Sequence, residues 1–81
     1  MAHVTLIGNL RQFTGGVTQL EVEAASVRQL FARLGDCFPE LAPHLEHGLA
    51  VAIDGQIYQD ALLEPIPPDA EVHLLPQIAG G

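Results

Sequence analysis

Basic side chains are scarce in this sequence, and lysine is absent. The 81 residues include three arginines against ten aspartates and glutamates, which gives a formal net charge of −7. Nucleic acids and anionic membranes bind basic surfaces, so the composition argues against both as partners. A basic protein partner would be attracted instead. Without lysine the chain cannot accept an isopeptide bond through a side chain, although its carboxyl end could still donate one.

Cysteine and serine each occur once. Cys37 alone can form neither an intramolecular disulfide nor a cysteine metal cluster, which excludes proteins that hold an iron–sulfur cluster with four cysteines. We expect Cys37 to be a small apolar packing residue near the end of a helix. Ser26 lies between Ala25 and Val27, unlike the Asp-Ser-Leu site of an acyl carrier protein. The strand patterns described below also do not fit that all-helical class.

Long hydrophobic runs are missing as well. The apolar stretches are far too short to span a membrane, and Met1-Ala2-His3 lacks the basic region with which a signal peptide begins. A length of 81 residues and a hydrophobic content of 48% fit one globular domain. The sequence therefore predicts a single-domain protein of the cytoplasm.

The first third of the chain shows the alternation that is typical of strands. Val4, Leu6 and Gly8 alternate with Thr5 and Ile7, which suits a strand over residues 2–8, and residues 18–23 alternate with one polar face. Gly15 and Gly16 lie between these segments and predict a turn, because glycine adopts a positive φ at little cost in free energy. We predict a β-hairpin with an enlarged connection.

A helix follows the hairpin. Ser26 and Gln29 have the spacing of a capping box. Four apolar residues then recur at i, i+3, i+4 and i+7, which predicts one helix face in a core: Val27, Leu30, Phe31 and Leu34. The helix must end near Phe38, because Pro39 disfavours helical geometry in the residue before it.

The second half predicts a short helical turn over residues 41–47 and three more strands. His44 and His47 could share a helix face as a metal pair would, but without a convincing third ligand we expect a solvated surface and no metal site. Residues 49–53 and 56–58 flank Asp54-Gly55, a strong hairpin signal. A proline-rich loop covers residues 59–69, and residues 71–75 alternate as a last strand. His3 and His73 fall on strands.

The predicted order is strand, strand, helix, strand, strand, strand. One main helix on one face of a mixed five-stranded sheet is an α+β roll. We expect the last strand to be central and Pro76 to end its pairing, because proline cannot donate a ladder hydrogen bond. Residues 1–76 would form the domain, and residues 77–81 an extended, flexible tail.

The sequence closes with Leu75-Pro76-Gln77-Ile78-Ala79-Gly80-Gly81. The final glycines lack a Cβ, so a carboxylate on such an end can enter a narrow cleft of another protein. This segment is similar to the apolar-Pro-Pro-Val-Ala-Gly-Gly ending of the MoaD/ThiS family of ubiquitin-like sulfur carriers, and the whole chain resembles that family. The resemblance implies the β-grasp fold.

The resemblance also implies a chemistry. An E1-like enzyme would use ATP and magnesium to adenylate the carboxylate of Gly81, with Gly80 as the slender residue before it. A sulfur donor of the persulfide or rhodanese type would then convert the adenylate to a thiocarboxylate. The chain itself would bind no cofactor and would be a sulfur-donating co-substrate rather than an enzyme. Leu75, Pro76, Gln77, Ile78 and Ala79 would contact partner proteins.

Several alternatives stay open from the sequence. Gln77 stands where small subunits of molybdopterin synthase commonly have a second proline, and residues 10–16 resemble carriers that serve cysteine synthesis or tRNA thiolation. The chain could nevertheless be that small subunit, with its tail in a large subunit. It could also be a ubiquitin-like protein modifier, or an interaction module with an incidental Gly-Gly end. Leu75 and either Leu6 or Ile7 are candidates for an apolar docking surface, with a core role as the alternative.

Overall fold

The computed structural model describes residues 1–46, 49–59 and 62–75. In chain order the elements are β1 (Ala2–Leu6), a 3₁₀ helix (Gly8–Phe13), β2 (Gln19–Val22), α1 (Val27–Cys37), α2 (Ala42–Glu46), β3 (Ala50–Ile53), β4 (Gln56–Tyr58) and β5 (Glu71–Leu75). None of the helices in these ranges combines the length and the apolar character that a membrane crossing requires.

The five strands form one mixed sheet in the order β2-β1-β5-β3-β4. The central strand β5 runs parallel to β1, with Leu6 opposite Leu74. It runs antiparallel to β3, with Ala50 opposite Leu75. The two hairpins, β1–β2 and β3–β4, therefore meet on opposite sides of the last strand. This is the predicted α+β roll with the last strand at the centre, in the β-grasp arrangement that the family resemblance implies.

The core lies between α1 and one face of the sheet. The apolar stripe of α1 is buried as predicted, and Leu30 and Leu34 have no solvent exposure. From the central strand, Val72 and Leu74 are equally buried. Because strand side chains alternate in direction, Glu71, His73 and Leu75 lie on the other side of the sheet.

The capping box at the start of α1 forms in a shifted version. The Gln29 backbone N–H donates to Ser26 Oγ at 3.2 Å. The Gln29 side-chain oxygen accepts from the backbone N–H of Ala25 at 2.7 Å, one residue earlier than in the usual box. At the other end, the Phe38 N–H donates to the Leu34 carbonyl at 2.8 Å, and the helix ends before Pro39 as predicted.

Two local expectations were wrong. Cys37 is exposed rather than packed, because α1 ends at this residue and the next one, Phe38, packs against the core instead. The first strand ends at Leu6, two residues before its predicted end, because the chain turns into the 3₁₀ helix at Gly8. The predicted glycine turn is present, with φ of +67° at Gly15 and +92° at Gly16.

The Asp54-Gly55 turn is confirmed and is tied to the central strand. Both residues have positive φ, +50° and +89°, as a two-residue hairpin turn of type I′ requires. The Asp54 carboxylate accepts from the Glu71 N–H at 2.9 Å, and the Asp54 N–H donates to the Glu71 carbonyl at 2.8 Å. These bonds fix the start of β5 against the β3–β4 hairpin.

Candidate functional site

The candidate site begins where the central strand ends. Leu75 is the last residue of β5 and pairs with Ala50 of β3. On the other side, the Ile7 N–H donates to the Leu74 carbonyl at 2.9 Å. The last two residues of β5 are therefore held from opposite sides, Leu74 by Ile7 and Leu75 by Ala50. Whatever follows Leu75 starts from a fixed point at one end of the sheet.

Most of the site predicted from the sequence follows this point. Pro76, Gln77, Ile78, Ala79, Gly80 and Gly81 lie outside the described residues. The predicted boundary between domain and tail at residue 76 lies there too. Of the predicted contact residues, the structure describes only Leu75, and it places this residue half-buried on the face of the sheet that points away from α1.

This face, which we call the outer face, is apolar near the end of β5. Register places His73 between Thr5 of β1 and Ala52 of β3, and Ile57 of β4 lies opposite Ala52. The Ile57 side chain is 63% exposed. Leu75 lies one row farther along the same face, diagonally next to Ala52, so Leu75, Ala52 and Ile57 form an apolar strip that crosses β5, β3 and β4 beside His73. Ile57 is not among the contact residues predicted from the sequence, although its alternation with the core-packed Tyr58 could have revealed it.

The structure separates the two other docking candidates. Leu6 faces the core and is only 3% exposed, so it is not a contact residue. Ile7 directly follows it and is 36% exposed. Because consecutive residues of a strand point to opposite faces, only the register could decide between them. Ile7 therefore remains as a contact candidate at the margin of the apolar strip.

The opposite end of the outer face is charged. Glu21 of β2 and Glu71 of β5 flank His3 of β1 in one row across the sheet. His3 Nδ1 lies 3.2 Å from a Glu21 carboxylate oxygen. A partner protein on this face would thus meet apolar side chains near the tail and carboxylates farther away. Such a surface fits a partner with an apolar centre and a basic rim.

Two local contacts brace the loops beside the end of β5. The ring of His44 in α2 stacks on Phe13 of the 3₁₀ helix, with centroids 3.9 Å apart. The buried Thr14 hydroxyl lies 2.8 Å from the Val17 carbonyl and 3.2 Å from that of Arg11. His44 thus has a packing partner, while His47 lies outside the described residues. In the described ranges, no three His, Cys, Asp or Glu side chains come together as metal ligands would.

The mixed sheet with a central last strand, packed on one main helix, defines a ubiquitin-like β-grasp protein. Comparison with known proteins goes further. The model of the ThiS family matches residues 4–81, nearly the whole chain. The chain therefore belongs to the ThiS family, which confirms the resemblance to the MoaD/ThiS ubiquitin-like sulfur carriers. No curated protein matches the chain significantly.

Solved structures share the fold at low sequence identity. Over 96% of this chain and 100% of the other, Mycobacterium tuberculosis CysO superimposes with a TM-score of 0.82 at 15% identity. The Amycolatopsis orientalis BexX/CysO complex gives 0.78 at 19% identity, with full coverage of both chains. The complex of subunits 1 and 2 of the molybdopterin-converting factor from Helicobacter pylori gives 0.70 at 22% identity, over 99% of this chain and 98% of that one.

Proposed function

We propose that this protein carries sulfur as a thiocarboxylate on Gly81. In a chain that ends at this glycine, an E1-like enzyme with ATP and magnesium adenylates the carboxylate in the cytoplasm. The observation that supports this most is the match to the ThiS family through residue 81, in a chain whose central strand ends only six residues earlier.

The chemistry explains why the carboxylate must be activated. A carboxylate oxygen is a poor leaving group, whereas AMP leaves readily once the acyl–phosphate bond has formed and pyrophosphate has departed. A persulfide sulfur attacks the acyl carbon, the bond to AMP breaks, and a thiol of the donor protein cleaves the resulting acyl disulfide. The product is a thiocarboxylate whose charge rests on a nucleophilic sulfur.

The folded body contributes position rather than catalysis. Leu75 is paired with Ala50 of β3, its neighbour Leu74 is bonded to Ile7, and six residues extend at most about 20 Å from Leu75. A partner enzyme must therefore dock close to the end of β5 for its active site to receive Gly81. The apolar strip of Ala52, Ile57 and Leu75 is the surface that meets this requirement. The net charge of −7 favours a basic partner.

Co-expression with an E1-like enzyme and a persulfide donor tests the proposal. Intact-mass analysis should show a chain that ends at Gly81 and has one oxygen replaced by sulfur. Deletion of Gly81 should abolish this mass change and leave Tm unaltered, because residues 76–81 carry no core pattern in the sequence. Sulfur loading of the deletion variant would refute the assignment of the carboxylate.

Docking on the outer face has its own matched pair of variants. Ile57→Glu places a charge on the apolar strip, and Leu63→Glu places the same charge on an exposed leucine away from the strands. We expect at least a tenfold loss of loading rate for Ile57→Glu, since a desolvated charge costs more than one factor of ten in binding. Leu63→Glu should load normally. Normal loading of Ile57→Glu would contradict docking through this strip.

The second candidate is the small subunit of molybdopterin synthase, which the similarity to the two-subunit complex from Helicobacter pylori favours. Both candidates use the same tail chemistry and differ in the acceptor. Co-purification with a large subunit that consumes the thiocarboxylate would support this alternative. Sulfur transfer to another acceptor without such a subunit would support the first proposal.

A further inference from the structure

A groove opens on the side of the molecule that carries the helices. Its volume is about 400 Å³, and α1 and α2 form its walls. The apolar lining includes Ala32 and Gly35 of α1, Ala42 and Leu45 of α2, and Leu62 of the loop before β5. A Cβ added at Gly35 would lie 3.5 Å from the Ala42 Cβ, so the two helices are close at this end.

An exposed leucine directly follows Leu62, the residue that the loop before β5 contributes to the groove. Leu63 is 82% exposed, more than any other large apolar side chain of the described residues. Its backbone is fixed, because the N–H of Arg28 donates to the Leu62 carbonyl at 2.8 Å and that of Val27 to the Glu64 carbonyl at 3.0 Å. These two bonds hold the residues on either side of Leu63 against the start of α1, while the Leu63 side chain lies in solvent.

Two opposite charges flank the groove symmetrically. Arg28 and Asp36 lie four residues before and four residues after Ala32 on the same side of α1, and both line the groove. In the described residues neither side chain forms an ion pair. A two-fold axis through Ala32 would place Arg28 of one copy opposite Asp36 of another, about 6 Å along the helix on either side. The helix face is thus complementary in charge to itself.

We propose that this chain forms a two-fold symmetric dimer in which the α1 helices pack antiparallel across Ala32. The small Ala32 side chain lets the helices approach, and two Arg28–Asp36 pairs fix their register. The same rotation brings the Leu62–Leu63 end of one copy over the end of the groove that Ala42 and Leu45 form in the other. The two-fold axis through Ala32 therefore satisfies the apolar contacts and the two charge pairs at the same time.

The second copy is the occupant that these observations favour. An isologous interface needs one patch that carries both halves of each contact. Here the patch contains both charges, Leu62 with the exposed Leu63 beside it, and the groove that would receive these leucines from the other copy. An unrelated partner would need only one member of each pair. The patch is small, so we expect a weak dimer with a Kd in the micromolar range.

Sedimentation equilibrium of the full chain between 10 µM and 1 mM, values chosen to span that range, tests the dimer. Arg28→Glu and Asp36→Arg should each raise the Kd about tenfold or more, because each change turns two attractive pairs into repulsive ones. The variant that carries both changes should regain a Kd near that of the wild type. Circular dichroism melting curves will show whether each variant is folded.

Disulfide trapping tests the position of the axis. Ala32→Cys in a Cys37→Ser background should form a covalent dimer on oxidation, because residues on the axis fall within the roughly 7 Å between Cα atoms that a disulfide spans. The native Cys37 residues would lie about 15 Å apart along the helices, so the wild type should stay uncrosslinked. Ile57→Cys in the same background is the control on the opposite face.

A concentration-dependent dimer supports the proposal if two further results hold. Leu63→Glu must abolish the dimer, and the variant that carries both Arg28→Glu and Asp36→Arg must regain the affinity that each single charge variant loses. A monomer at 1 mM overturns it, and so does a dimer that the double exchange fails to restore. Trapping through Ile57→Cys instead of Ala32→Cys would also overturn it. A monomer whose groove binds a different protein would assign the groove to that partner. None of these outcomes depends on sulfur loading.

Discussion

The register of the central strand makes a sharp prediction about two adjacent leucines. Leu74 has no solvent exposure and packs in the core, whereas Leu75 is half-buried on the outer face. Leu74→Ala removes three buried carbon atoms and leaves a cavity, which costs about 3 kcal/mol in the free energy of unfolding. Leu75→Ala should cost less than about 1 kcal/mol, because part of its side chain already contacts water.

The loss at Leu74 is large for this chain. At about 0.05–0.15 kcal/mol per residue, 81 residues give a total stability of about 4–12 kcal/mol. At about 4–8 °C per kcal/mol, Leu74→Ala should therefore lower Tm by about 12–24 °C, while Leu75→Ala lowers it by less than about 8 °C. Urea unfolding followed by circular dichroism measures both, and unchanged m-values validate the comparison. Equal losses, or a greater loss at Leu75, would mean that the strand is shifted by one residue.

Three further substitutions test local features of the fold by the same urea titration. Ser26→Ala should cost about 1 kcal/mol, because the hydroxyl accepts a hydrogen bond at the start of α1; no loss would mean that the cap is unimportant. Gly55→Ala should cost about 1 kcal/mol for its φ of +89°, and a neutral result would argue against a type I′ turn. Gly35→Ala should gain about 0.5–1 kcal/mol, since the new Cβ makes an ordinary contact with Ala42; destabilisation would indicate a closer approach of the helices.

The elements that the sequence predicted best have local causes. Asp54-Gly55 can form few other turns between two apolar segments, and Pro39 ends α1 wherever the rest of the chain lies. The cap at Ser26 needs only a residue three positions away. Even there, the Gln29 side chain accepts from the N–H of Ala25 rather than from that of Ser26, a detail that the spacing alone does not predict.

The expectations that failed or stayed open depend on contacts between distant segments. The alternation of β1 could not show that Leu6 faces α1 and Ile7 does not. The burial of Cys37 depended on whether Phe38 would turn inward, which a helix pattern does not contain. The groove could not be predicted from the sequence for the same reason, since α1, α2 and the Leu62 loop meet only in the folded chain.

The two proposed surfaces lie on opposite sides of the protein, and this separation yields a test of both. The apolar strip with Ile57 lies on the outer face of the sheet, and the groove beside Leu63 lies on the helix side, with the core between them. Ile57→Glu and Leu63→Glu each add one negative charge, so their effects on net charge are the same. Ile57→Glu should lose sulfur loading and keep the dimer, whereas Leu63→Glu should lose the dimer and load as a monomer. If Leu63→Glu lost both properties while its melting curve stayed normal, sulfur loading would require the dimer, and the two surfaces would not be independent.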